Sequence, residues 1–327
     1  MLVPIAPALA LSSAANAGSG PWVVSPGDIN VYAGTEYQRI TELVVHDAGE
    51  EVDVLQVDDG VESFGVKGIV SYGLRERVEV ELGVPWYRVE ANTRGGALCS
   101  SLGLQACETT EGIGVVRAQV KGLVLDELAG SPVSLSLAGV MRFGAFTSDT
   151  RARITNLSEG TTDLGGVLAV GRSGGLGDGF WSSWASAGWR RRFPNAARGG
   201  VAVPGGEFTS DADFLGGLQS WWSVGPSVSL LYRPSGYDLV ALDAASVDRF
   251  GELRILTTRV GGKLILRSSE RVSVVASAHK AVIVRNNPTP LSLGLGLSVQ
   301  PRRNQSDCAC VRAALGPSAL SLLATRP

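Results

Sequence analysis

The sequence predicts an all-β chain, a transmembrane, antiparallel, up-and-down β-barrel of about twelve strands. Three observations carry that prediction. Apolar and polar residues alternate with period two over long segments. The connections between those segments alternate short and long. The composition is glycine-rich and poor in charge, with 42 glycines in 327 residues, 44% hydrophobic residues and only 18% charged ones, where globular chains average roughly 25% charged residues and about 7% glycine.

The clearest alternation runs from Arg77 to Tyr87. Val78, Val80, Leu82, Val84 and Trp86 share one face, and Glu79, Glu81, Gly83 and Tyr87 share the other. A helix would scatter the two glutamates around its circumference, whereas a strand sets them on one side. The same pattern sets Val133, Leu135, Leu137, Met141 and Phe143 against Ser134, Ser136, Ala138 and Arg142. It also sets Leu291, Leu293, Leu295, Leu297 and Val299 against Ser292, Gly294, Gly296 and Ser298. Between Val116 and Val124, Arg117, Gln119 and Lys121 fall together.

Read in this way, strands are expected near 30–40, 63–73, 77–89, 112–126, 132–147, 162–172, 179–191, 212–223, 227–234, 252–267, 271–285 and 290–300. Several reach the roughly ten residues that a tilted strand needs to cross a bilayer. Short connections are expected at 74–76, 127–131, 173–178, 224–226 (Val224-Gly225-Pro226) and 268–270, and long polar ones at 41–62, 90–111, 148–161, 192–211 and 235–251. The final connection, 286–289, is brief. Outer-membrane barrels keep every second connection tight on the periplasmic side, and an even strand number brings both chain ends there. Trp86, Tyr87, Trp181, Trp184, Trp189, Trp221 and Trp222 suit interfacial girdles.

The ends differ from the middle. Residues 1–17 carry no charge, open with an apolar run from Leu2 to Leu11 and close on Ala15-Asn16-Ala17, the pattern of a secretory signal peptide. Residues 18–300 then form the barrel, and 301–327 form an irregular C-terminal tail. The tail holds Arg302, Arg303, Arg312 and Arg326 against Asp307, so the total of −2 hides a barrel at −5. Cys99 and Cys107 sit eight apart in a Gly/Ser/Thr-rich stretch, as in a short disulfide-closed loop of an exported protein. Cys308 and Cys310 have no histidine near enough to complete a zinc site.

The segment Ser71-Tyr72-Gly73-Leu74-Arg75-Glu76-Arg77, leading through Val78-Glu79-Val80-Glu81-Leu82 into Gly83-Val84-Pro85-Trp86, resembles the repeated signature of the MetA-pathway of phenol degradation family. That signature is a Tyr-Gly-Leu turn, an alternating strand and a Pro-aromatic ending, and Tyr32, Gly34 and Tyr37 on the first strand fit it as well. The resemblance implies an outer-membrane barrel of a Gram-negative-type bacterium, acting as a channel for small, often aromatic, compounds. It names no substrate. The chain departs from barrels of this type in having no terminal aromatic residue at Pro327.

With apolar faces toward lipid, Glu79, Glu81, Arg117, Gln119, Lys121, Arg142, Arg259 and Lys263 are expected to line the lumen, because a lipid-facing Arg or Lys costs about 2–4 kcal/mol at the midplane. The function expected is passive diffusion of small solutes through a polar lumen, without a cofactor and without a metal centre in the wall. The alternative is a non-conducting structural or adhesive barrel. In that alternative an acidic external loop of Asp47, Glu50, Glu51, Asp53, Asp58 and Asp59 binds divalent cations or lipopolysaccharide, since dense carboxylates suit Ca²⁺. The expected partners are outer-membrane lipid and lipopolysaccharide, the solute and the barrel-assembly machinery. A near-neutral chain offers no basic patch for nucleic acid. Catalysis is not expected. His46-Asp47 lacks a positioned nucleophile, no Gly-x-Ser-x-Gly elbow occurs, and Gly174 to Gly179 lacks the lysine and helix of a phosphate loop.

Overall fold

The computed structural model describes residues 20–47, 50–91, 109–144, 161–176, 179–194, 205–219, 221–236, 254–269 and 271–300. Its strands are β1 (Ile29–Asp47), β2 (Glu50–Arg75), β3 (Val78–Ala91), β4 (Thr110–Ile113), β5 (Val116–Leu125), β6 (Ser134–Phe143) and β7 (Thr161–Leu176). They continue with β8 (Gly179–Pro194), β9 (Glu207–Gly217), β10 (Trp222–Arg233), β11 (Ile255–Arg267), β12 (Val272–Arg285), β13 (Asn287–Pro288) and β14 (Leu291–Val299). A single turn of 3-10 helix, Glu127–Ala129, lies between β5 and β6.

Every pairing is antiparallel, and the sheet closes on itself. β1 pairs with β2 from Ile29↔Tyr72 onward and with β14 from Val31↔Val299 onward. β4 and β5 both pair with β3 and make one interrupted stave, while β13 is a two-residue pairing onto β1. The wall is therefore a closed barrel of twelve staves.

The two faces of the wall invert the usual order of a folded protein. Apolar side chains point outward: Leu137, Leu291, Leu293, Leu295 and Leu297, with Val70, Leu82, Val120, Phe214 and Val260, are exposed around the circumference. The buried side is polar, with Asn30, Gln38, Ser63, Ser71, Ser134, Ser227, Ser292 and Ser298 facing in beside many charged groups. Alternation with period two produces this separation on every strand. A water-soluble sheet would reverse it, whereas a barrel in lipid requires it.

Two inward tyrosines show how glycine serves the wall. A Cβ on Gly34 or Gly296 would lie 2.4 or 2.2 Å from the Tyr32 hydroxyl, and one on Gly65 or Gly114 would lie 2.5 or 2.7 Å from the Tyr87 ring. Each ring thus lies flat over glycines of the wall, on its own strand or beside it, and does not project across the lumen. Gly114 also donates its N–H to the Pro85 carbonyl at 3.0 Å. The break between β4 and β5 falls at this point, in the region expected as one strand, 112–126.

Several expected boundaries move. The loop expected at 41–62 is a paired β-hairpin, with Val44↔Val54, His46↔Glu51 and Asp47↔Glu50 in register. β-branched Val44, Val45, Val52 and Val54 outweigh the acidity there. The turn expected at Val224-Gly225-Pro226 lies inside β10, where Pro226 opposes Gly262 of β11. Toward β9 the ladder skips Gly225 and Pro226 between Val224↔Gly216 and Ser227↔Asp213, as a residue without an N–H dictates. The actual turn includes Trp221, so Trp222 opens β10 and neither tryptophan closes the strand before it. The expected loop 192–211 is shorter at both ends, because β8 runs to Pro194 and β9 starts at Glu207. β7 continues through Gly174 and Gly175 to Leu176, so only 177–178 separates it from β8. Residues 20–28, expected as part of the barrel, do not join the wall. Residues 1–17, 301–327, Cys99 and Cys107 lie outside the described residues.

Candidate functional site

One end of the barrel gathers the short turns and both ends of the strand sequence. Across this mouth runs a strap, Gly20 to Asp28. At one side Gly27 donates its N–H to the Gly73 carbonyl at 2.6 Å, and Gly73 donates back to the Asp28 carbonyl at 3.0 Å. A Cβ on Gly73 would sit 2.0 Å from the Ser25 carbonyl oxygen, so only glycine admits the strap there. From β2 the strap passes β3, where the Val24 N–H donates to Glu79 Oε2 at 2.7 Å. It then passes β5, where Lys121 Nζ donates to the Trp22 carbonyl at 2.7 Å and to the Gly20 carbonyl at 3.5 Å. Pro21 packs over Gly171 of β7, and Gly20 reaches the neighbourhood of Trp184 on β8. Counted in staves, β8 stands opposite β1, so the strap spans the mouth from wall to wall.

The Trp22 indole fixes the middle of the strap, donating to Glu127 Oε1 at 3.0 Å. Glu127 also accepts from the Ser173 hydroxyl at 2.7 Å and from the Ser173 N–H at 3.0 Å. Burial alone would raise the Glu127 carboxyl, but the Ser173 and Trp22 hydrogen bonds and the nearby Arg172 outweigh it and hold the group below the usual carboxylate range.

Beyond the strap the lumen wall is densely charged. Glu79 and Lys121, 1% and 3% exposed, form an ion pair at 3.1 Å. Glu81 accepts from the Ser71 hydroxyl at 3.4 Å. Lys263 pairs with Asp213 and lies 5.8 Å from the Trp184 ring centroid. Farther from the strap, register sets Arg117 opposite Arg142, Arg142 opposite Asp163 and Asp163 opposite Arg192, on four successive staves. Asp163 Oδ2 takes Arg142 Nη1 and Arg190 Nη1, each at 3.6 Å. Arg190 then pairs with Glu207, whose other oxygen meets Arg233 Nη2 at 3.1 Å. Shared acids therefore link Arg142, Arg190 and Arg233 along the wall, and each of these buried charges has a counter-charge within reach.

Of the residues singled out from sequence, Glu79, Glu81, Gln119, Lys121, Arg142, Arg259 and Lys263 are buried on the inward face, and Arg117 is partly buried there, donating to Gln119. They do not converge on a single point. Glu79 and Lys121 hold the strap, while Arg117 and Arg142 belong to the arginine row. Sequence reading passed over Asp163, Arg190, Arg192, Glu207, Asp213 and Arg233, as well as Trp22 and Glu127. The first six stand at alternate positions on β7 to β10, where serines and glycines dilute the contrast between faces. Trp184, expected in an interfacial girdle, points inward at 9% exposure, where Lys263 of β11 meets its ring; Trp189, an odd number of positions along β8, points outward. The backbones of Asp47, Glu50, Glu51, Asp53, Asp58 and Asp59 lie in the β1–β2 hairpin; their side chains, and that of His46, lie outside the described ones. Among the described residues no group of three or more His, Cys, Asp or Glu could hold a metal ion.

Solved structures share this architecture. The COG4313 outer membrane channel from Pseudomonas putida F1 superposes with a TM-score of 0.63 at 14% identity, covering 88% of this chain and 99% of that one. The fold is that of an outer-membrane β-barrel. The NanC porin (TM-score 0.45, 11% identity, 83% of this chain and 98% of that one) and the P. putida toluene transporter TodX (0.40, 10%, 86% and 92%) are also similar. No family model and no curated protein matches the sequence. At these identities the likeness concerns the fold alone.

Proposed function

We propose that this barrel is an outer-membrane channel for the passive uptake of small solutes, aromatic compounds among them. The observation that carries the reading is the continuous charged inner wall. An apolar exterior requires only lipid outside, but a wall of Arg142, Asp163, Arg190, Glu207 and Arg233 inside is suited to a hydrated path. The aromatic part rests on the resemblance of residues 71–86 to the MetA-pathway of phenol degradation family. Several of the structural neighbours, TodX among them, also carry channel or transporter names. In this reading the turn end faces the periplasm, as tight connections do in such barrels, and the protein meets lipopolysaccharide, its solute and the assembly machinery.

A second reading, a non-conducting structural barrel, is favoured by one observation: the strap from Gly20 to Asp28 crosses the mouth from β1 to β8. Single-channel recording in planar bilayers separates the two. Discrete conductance steps from heat-modifiable, folded protein support the channel, and silence from the same protein removes it. Adding toluene or phenol to one side then asks whether such molecules enter, by whether they interrupt the ion current.

A further inference from the structure

Lys280 is a cation on the lipid-facing side of the wall. It is exposed on β12, beside Val260 of β11 and Leu291 of β14, with Ala278 and Val282 next to it on the outward face of its own strand. Val260, Leu291 and Val282 are all exposed. β11, β12 and β14 carry no Asp or Glu along their whole lengths, so the wall around Lys280 offers it no counter-charge. A lysine facing lipid is costly unless its head reaches an anion at the membrane interface.

One stave beyond Leu291 stands Arg39 of β1, outward as well and in register with the same leucine. It meets Glu62 at 3.9 Å, and 54% of its side chain stays exposed. Neighbouring strands lie roughly 4.8 Å apart, so the two cations flank Leu291 at about 10 Å, within reach of one phosphate between them. Other outward cations are differently placed: Arg88 is paired with Glu90, and Arg191 lies over the Phe193 ring.

The surface below the two cations is a ridge. Leu291, Leu293, Leu295 and Leu297 of β14 are between 43% and 57% exposed. Small residues border the ridge on both sides, Ala278 and Ala276 of β12 beside Leu293 and Leu295, and Thr35 and Ala33 of β1 beside Leu295 and Leu297. Two shallow furrows therefore run down the membrane face from the cations.

We propose that this face binds lipopolysaccharide through its lipid A, with a phosphate held between Lys280 and Arg39 and acyl chains laid along the leucine ridge. The cations lie toward the 286–289 connection, the end away from the 268–270 turn, which is the outer leaflet when the tight turns face the periplasm. The site rests on that orientation from the reading above, and not on conductance.

Native mass spectrometry of the detergent-folded barrel, titrated with bisphosphorylated lipid A and with phosphatidylglycerol, tests it. Lipid A is expected to bind at least about tenfold tighter, since a phosphate monoester carries more charge than a diester and lipid A has more chains to lay on the ridge. Lys280→Met and Arg39→Gln are each expected to weaken lipid A about tenfold, the worth of one charge-assisted hydrogen bond; Lys280→Arg is expected to keep it. Lys280→Met takes a charge off the lipid face and so does not hinder insertion, and the heat-induced gel shift shows that each variant is folded. Arg191→Gln, outward on β8, is expected to change nothing. An equal loss in R191Q would mean diffuse charge attraction and would overturn the site, as would unchanged binding in both K280M and R39Q. Phosphatidylglycerol bound as tightly as lipid A would overturn lipopolysaccharide as the occupant. A silent barrel that retains lipid A keeps the site and loses the channel, and a conducting barrel that does not retain it does the reverse.

Discussion

Lys121 and Glu79 face each other at 3.1 Å on adjacent staves, and each also holds the same stretch of backbone, Lys121 through the Trp22 carbonyl and Glu79 through the Val24 N–H. The pair does two jobs at once: it neutralises two charges on the wall and fastens the strap over the mouth. Replacing Lys121 by Met would leave Glu79 buried without its cation, a change that costs about 3–5 kcal/mol when a buried pair is broken. The expected outcome is a lower temperature for the heat-induced gel shift, together with a larger or more frequently open conductance. Equal conductance in wild type and K121M would mean that the strap does not limit the path.

Glu127 gives the strap a pH dependence. Its folded-state pKa lies below the ordinary value of 4.5, so its contribution is complete above that value and is lost as pH falls through the lowered pKa. Trp22 fluorescence, read against a Trp22→Phe background to isolate its signal, should therefore be constant near neutrality and change only under acid conditions. Glu127→Gln should abolish that acid transition while sparing the barrel's gel shift. A transition that persists in E127Q would place its origin elsewhere.

The glycines under Tyr87 admit no side chain. A Cβ on Gly65 would come within 2.5 Å of that ring, and overpacking of this kind typically costs about 1–3 kcal/mol. Gly65→Ala should lower the unfolding temperature or force the ring into the lumen. Combining it with Tyr87→Ala should recover much of the loss. Additive effects in the double variant would show that ring and glycine do not interact.

The outward face can be tested by charge. Leu295 is 57% exposed near the middle of β14, and an arginine at the bilayer midplane costs about 2–4 kcal/mol. Leu295→Arg should reduce insertion into liposomes, scored by the fraction of heat-modifiable protein. Ser292→Arg, on the inward face of the same strand, should cost less at the lipid and act instead on ion selectivity. Equal insertion of both variants would contradict the assignment of faces.

Much of the wall was legible because lipid and lumen impose opposite demands on successive residues. Where a strand carries strong contrast, as in Val78 to Trp86 or Leu291 to Val299, alternation alone set the face of each side chain. It failed where the contrast is weak or the turn chemistry misleads. Gly225-Pro226 reads as a turn, yet a proline is tolerated in β10 because the ladder opens there toward β9. The acidic run after Thr41 reads as loop, yet valines between the acids keep it paired with its neighbour. The strap was invisible for another reason. Gly20 to Asp28 carries no periodicity, and its partners Gly73, Glu79, Lys121 and Glu127 lie up to 105 positions away. Only closure of the barrel brings them to one mouth.

The seam where β1 meets β14 joins strands from the two ends of the described barrel. One edge of β1 is satisfied by β2, its neighbour in sequence, but the other is met by Leu291 to Val299, the last of the described strands along the chain. Without that strand a long row of unpaired N–H and C=O groups is open to any passing strand, the condition that invites aggregation. A chain cut short before Leu291 would keep that open edge on β1 and a second one on β12. The last strand is therefore worth more to this protein than its nine residues suggest, because its pairing turns a sheet with two adhesive borders into a wall with none.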